Sequence, residues 1–161
     1  MSYQEKKTYI SMFMGVLILV AYCIYAFGKF QAGAVDLNDL KFFASTMMIF
    51  IGIGIVAMIV LQILFHIALS VSVAVKENCR DDKKIEKAIA ATMVEDEMDK
   101  LIELKSGTIG FAVVGVGFIA GLITLLFNSP PAVMLNILFL SFGVGSLAGG
   151  AMSIYYYRKG V

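Results

Sequence analysis

An all-α polytopic membrane protein with four transmembrane helices is the fold this sequence predicts, and three observations predict it. Four long stretches contain no Lys, Arg, Asp or Glu: Thr8 to Gly28, Phe42 to Val75, Ser106 to Asn128 and Ser129 to Ile154. About 20 apolar residues suffice to cross the hydrocarbon core as a helix, and in lipid every backbone polar group must be paired within the segment. Runs such as Met48 to Leu61 lack the apolar–polar alternation of barrel strands. Finally, the 161 residues are 60% hydrophobic and 16% charged, against about 25% charged in soluble domains. The chain reads as one domain, 1–161, with a formal net charge of +1 that offers no global attraction for nucleic acid.

The first span is expected at about residues 9–27. Its apolar core is long, and Gly28, Lys29, Phe30 and Gln31 after it offer no small-residue cleavage site, so it reads as a retained helix rather than a signal peptide. Tyr3, Tyr9, Tyr22, Tyr25, Phe27 and Phe30 flank it as an interfacial aromatic belt. The second span is expected at about 42–66, with Asp36 or Asn38 as N-cap. Its uncharged run covers 34 residues, roughly 51 Å as a helix against a core of about 30 Å. The part from His66 to Val75 is therefore expected to leave the core or bend along the interface.

A cytoplasmic helical segment at about 67–106 should follow. Thr92 and Glu95 fit a capping box, and Glu95, Asp96 and Glu97 suit the positive end of a helix. Val94, Met98, Leu101 and Ile102 form one apolar stripe, and Ile85, Ala88, Ile89 and Met93 form another. Asp96 and Lys100 are placed for a local ion pair. The third span, about 107–127, continues from this segment with a kink at Ser106 and Gly107. Asn128-Ser129-Pro130-Pro131 breaks the chain, and proline suits the first turn of the fourth span, about 132–154. Gly117-x-x-x-Gly121 and Gly145-x-x-x-Gly149 put small residues on single faces of these two spans, which meet each other or a second subunit.

Charge sets the orientation. Lys6, Lys7, Lys76, Arg80, Lys83, Lys84, Lys87, Lys100, Lys105, Arg158 and Lys159 fall on one side of four spans, and only Lys29 and Lys41 on the other. Cytoplasmic loops carry the excess of Lys and Arg, so both termini and the middle segment are expected in the cytoplasm of a plasma membrane. Cys23 and Cys79 then lie on opposite sides, and no disulfide between them is expected.

Candidate chemistry is sparse. His66 is the one histidine, with Gln62 a turn earlier on the same face, and ionisable groups at membrane depth are functional candidates by default. A lone histidine cannot chelate within one chain. Glu95, Asp99 and Glu103 form an i,i+4 carboxylate row that reads as a solvated helix face rather than a cation site. The spans hold no acidic residue for cation coupling, and no nucleophile set or phosphate loop is present. No catalytic residue, metal or cofactor is expected.

From about Glu95 to Val161 the chain resembles a family of small prokaryotic four-span membrane proteins with no established activity. The resemblance is carried by Glu97 to Ser106 (EMDKLIELKS), Pro131 to Asn136 (PAVMLN) and Tyr155 to Val161 (YYYRKGV). It implies a four-helix membrane architecture and a prokaryotic plasma membrane, and it draws attention to Glu103, Lys105, Asn136 and Arg158. The expected function is non-enzymatic: sensing or scaffolding, with the cytoplasmic segment contacting a soluble partner and the protein forming a homodimer in the bilayer. The alternative is a small oligomeric channel or transporter for a neutral or apolar solute, lined by Ser141, Asn136 and Thr124.

Overall fold

A computed structural model describes residues 3–77 and 96–160. Among them are four helices: α1 (Tyr3–Gln31), α2 (Leu40–Glu77), α3 (Glu97–Leu126) and α4 (Pro131–Lys159). Each is long and apolar enough to cross a membrane, so this is a multi-pass membrane protein. Large side chains such as Ile24, Met48, Val56, Phe111 and Leu126 are exposed on the helix flanks. In water they would be a liability; in a bilayer they are the solvated surface. Cys79, the Thr92–Glu95 capping box and the 85–93 stripe lie outside the described residues.

α4 is the hub. It packs along α3, crosses α1 and touches α2, while α2 otherwise rests on α1. Among the described residues, α2 and α3 meet weakly at most. The α3–α4 seam is made of small residues. A Cβ at Gly110 would lie 2.7 Å from the Gly145 carbonyl oxygen, and one at Gly149 would lie 3.2 Å from that of Ser106. Gly117 faces Ser141 and Gly121 faces Met134. The two glycine faces therefore meet each other inside one hairpin. Dispersion over close backbones is what holds helices together where lipid removes the hydrophobic drive. α1 uses the other flank of α4, where Leu19 covers Gly143 and Met12 covers Gly150.

The turns follow residue chemistry. Asn128 takes a positive φ of 54°, a conformation that asparagine tolerates, and Pro131 occupies the first turn of α4 as its missing N–H allows. Before α2, Asp36 closes a local turn by accepting from the Asn38 N–H. The residue that caps α2 is Asp39, whose carboxylate accepts from the Phe42 N–H at 3.0 Å, in place of the expected Asp36 or Asn38.

α2 is one uninterrupted helix of 38 residues, roughly 57 Å long, so the chain past His66 continues as helix. Two further expectations are corrected. α3 runs through Ser106 and Gly107 without a break. Asp96 does not pair with Lys100: it is the N-cap of α3 and accepts from the Asp99 N–H, while the Asp99 carboxylate accepts from the Asp96 N–H. At that position the exposed helix donors outcompete a side-chain ammonium for the carboxylate. Lys100 pairs with Glu97 instead, at 2.8 Å and well exposed.

The buried core lies toward the end that carries Lys29, Asp36, Asp39 and Lys41. Tyr22, Ala26, Phe43, Met47 and Ala132 form it, with Phe50, Leu135 and Phe139 packed around them. Tyr22 is thus no interfacial anchor: it is 1% exposed and its hydroxyl donates to Asn136 Oδ1 at 2.6 Å.

Candidate functional site

The opposite, charged end is built differently. There the first turns of α1 and α3 meet the last turns of α4 and the distal half of α2, and a cavity of about 560 Å³ opens between them. Each helix lines it with a polar stripe at helical spacing. α1 supplies Gln4, Lys7, Thr8 and Ser11; α2 supplies Gln62 and His66; α3 supplies Asp99, Glu103 and Ser106; α4 supplies Ser153 and Tyr157. Deeper along α2, Met58 and Ile59 make the lining apolar, and Ile63 lies beside Gln62.

Hydrogen bonds fix the back wall. Tyr157 Oη donates to Asp99 Oδ1 at 2.7 Å, and the other Asp99 oxygen is held by the Asp96 N–H. Ser106 is buried, donates to the Glu103 carbonyl and packs its backbone on Gly149. Thr8 donates to the Gln4 carbonyl one turn back. Ser11 reaches the Met58 sulfur at 3.9 Å, a weak contact that links α1 to α2.

Behind this wall the C-terminal turn of α4 is clasped to α1. Arg158 Nη2 donates to Tyr9 Oη at 2.7 Å, and its Nε lies 3.7 Å from the carboxylate of Glu5. Glu5 is 7% exposed, and a carboxylate so placed needs a cationic neighbour.

Of the polar residues singled out by sequence, His66, Gln62 and Glu103 come together on this cavity. Arg158 stands beside it in the Glu5–Tyr9 clasp. Lys105 faces away, its ammonium 6.0 Å from the Tyr156 ring centre. Asn136 sits at the other end of the bundle with Tyr22. Sequence reasoning missed Glu5, Lys7, Thr8, Ser11 and Tyr157 as one constellation, and it read Asp99 as a solvated face. The available signal was the 4, 7, 8, 11 spacing of polar residues on α1.

The lining offers donors and carboxylates of opposite charge above an apolar floor, an arrangement suited to recognising an amphiphile. Among the described residues, no three His, Cys, Asp or Glu side chains are grouped to hold a metal ion. No family model matches the chain, and no curated protein or solved structure is similar to it.

Proposed function

We propose that this is a non-enzymatic membrane protein that senses or scaffolds at the cytoplasmic face, with both termini and the segment of about 67–106 on that side. One observation supports it above the others: the cavity is walled by α2 and α3, the two helices that residues 78–95 connect in sequence. An occupant that changes the spacing of His66 and Glu103 changes the spacing of the two attachment points. The apolar spacing of Ile85, Ala88 and Ile89 in the connecting sequence is then the feature through which a soluble partner is engaged.

Two experiments test this. In a chain with Cys23 and Cys79 replaced by alanine, Ala32→Cys is expected to react with an impermeant thiol reagent added outside intact cells. Lys159→Cys should react only after permeabilisation; labelling in the reverse order removes the proposed orientation. In-cell photocrosslinking from position 88 of the full-length chain is expected to trap one soluble protein, and Ile85→Asp with Ile89→Asp is expected to abolish the adduct. An adduct indifferent to those two substitutions, or none, removes the scaffold.

The oligomeric channel has less support. Ser141 and Thr124 donate to carbonyls of their own helices, Ile137 and Gly121, and Asn136 is engaged by Tyr22 and Ala132. These side chains serve packing rather than a conduction path.

A further inference from the structure

We propose that the cavity at the charged end holds the headgroup of a bilayer phospholipid that carries a primary ammonium beside its phosphate. This rests on the cavity being a binding site, as above, and names the class of ligand it takes.

The charges lining the cavity are of both signs. Asp99 is already bonded by Tyr157 and by the Asp96 N–H. Glu103 has no side-chain partner among the described residues, nor has Lys7. A zwitterion satisfies both at once: its ammonium meets Glu103 and its phosphate meets Lys7. Gln62 and His66 supply further N–H donors toward the phosphate, since a neutral imidazole still keeps one. Charge-assisted pairs of this kind are roughly twice as strong as neutral hydrogen bonds. A primary ammonium presents N–H groups to a carboxylate; a glycerol headgroup offers only hydroxyls and leaves Glu103 facing a phosphate.

The apolar floor and the open side identify the bilayer as the source. Met58 and Ile59 continue the cavity along α2 toward the middle of the membrane, and Ile59 is more than half exposed. They form a track for an acyl chain. Among the described residues α2 and α3 meet weakly at most, so a lipid can enter sideways between them with its tail still in the hydrocarbon. A soluble headgroup would leave that track uncovered.

The test uses the full chain in detergent, titrated with an ethanolamine phospholipid and with a glycerol phospholipid of the same acyl chains. Native mass spectrometry reads bound lipid on the unmodified chain. The chain contains no tryptophan, so Phe65→Trp adds a fluorescence reporter in the lining. The ethanolamine lipid is expected to bind about tenfold more tightly, the equivalent of one charge-assisted hydrogen bond. Glu103→Gln should erase that preference, and Lys7→Gln should weaken both lipids alike. Glu97→Gln, on a surface pair outside the cavity, should change neither. Equal binding of the two lipids, or a preference that survives Glu103→Gln, overturns the assignment while leaving a binding cavity. Soluble phosphoethanolamine moving the reporter as readily as the lipid overturns the bilayer source. If no lipid binds and the reporter never responds, the cavity is not a binding site, and the sensing proposal falls with it.

Discussion

Gly145→Ala is expected to lower the stability of the bundle by about 2–3 kcal/mol, the upper part of the range for overpacking, and Gly145→Leu to leave no folded hairpin. The added methyl would lie 2.6 Å from the Gly110 carbonyl oxygen and 2.9 Å from Val114 Cγ2. The first of these is backbone locked in the hydrogen-bond ladder of α3, so it cannot turn aside as a side-chain tip can. The helices must separate, and the contacts along the whole seam from Ser106–Gly149 to Gly121–Met134 weaken together. Gly110→Ala should act the same way, its methyl 2.7 Å from the Gly145 oxygen. The double variant should cost less than the two single losses combined, because the helices separate only once. Gly115→Ala is the control: nothing lies within 4 Å of its added methyl, and alanine is the better helix former by up to about 1 kcal/mol. Unfolding midpoints in a denaturing-detergent titration measure all five variants. A Gly145→Ala midpoint equal to that of Gly115→Ala would show that the seam does not hold the hairpin.

The seam was legible in the sequence because small residues four apart on adjacent spans have one use that lipid rewards. The spans were legible because uncharged runs of such length have few fates outside a bilayer. What stayed hidden depends on which faces meet. Tyr22, close to the end of an apolar run, has the sequence context of a headgroup anchor, and only the fold shows Asn136 opposite it. The polar row on α1 lies among Lys6, Lys7 and Glu5, where wet side chains are expected anyway. Its role becomes visible when α2 brings His66 and Gln62 across from it. Helix spacing singles out His66 with Gln62, and the resemblance singles out Glu103, but neither signal says that all three share one cavity. The Asp96–Lys100 pairing failed for a local reason: spacing rules for ion pairs hold inside a helix, and Asp96 stands just before one, where free N–H groups compete.

Tyr22→Ala is expected to cost about 3–5 kcal/mol, the range for removing a large buried aromatic, and Tyr22→Phe about 0.6–1.7 kcal/mol, the range for a hydrogen bond between membrane helices. The two numbers separate two jobs of one side chain. The ring fills the centre of the core, 4.4 Å from the Phe139 centroid and edge-on to Phe50 at 5.5 Å. It therefore joins α1, α2 and α4, and its loss should free α2, whose remaining contacts are few. The hydroxyl does a narrower task. Asn136 Nδ2 donates to the Ala132 carbonyl at 2.8 Å, which turns Oδ1 toward Tyr22 and leaves it waiting for a donor. Phenylalanine keeps the packing but strands that oxygen among apolar rings, where an unmet acceptor is costly. Asn136→Ala in the Tyr22→Phe background should then cost less than in the wild type, because the stranded group is gone. Hydrogen exchange across residues 40–60 supplies the second readout: faster exchange in Tyr22→Ala and near-native exchange in Tyr22→Phe. Were Tyr22→Phe as costly as Tyr22→Ala, the hydroxyl rather than the ring would be what joins α1 to α4, and the packing account of this end of the bundle would be wrong.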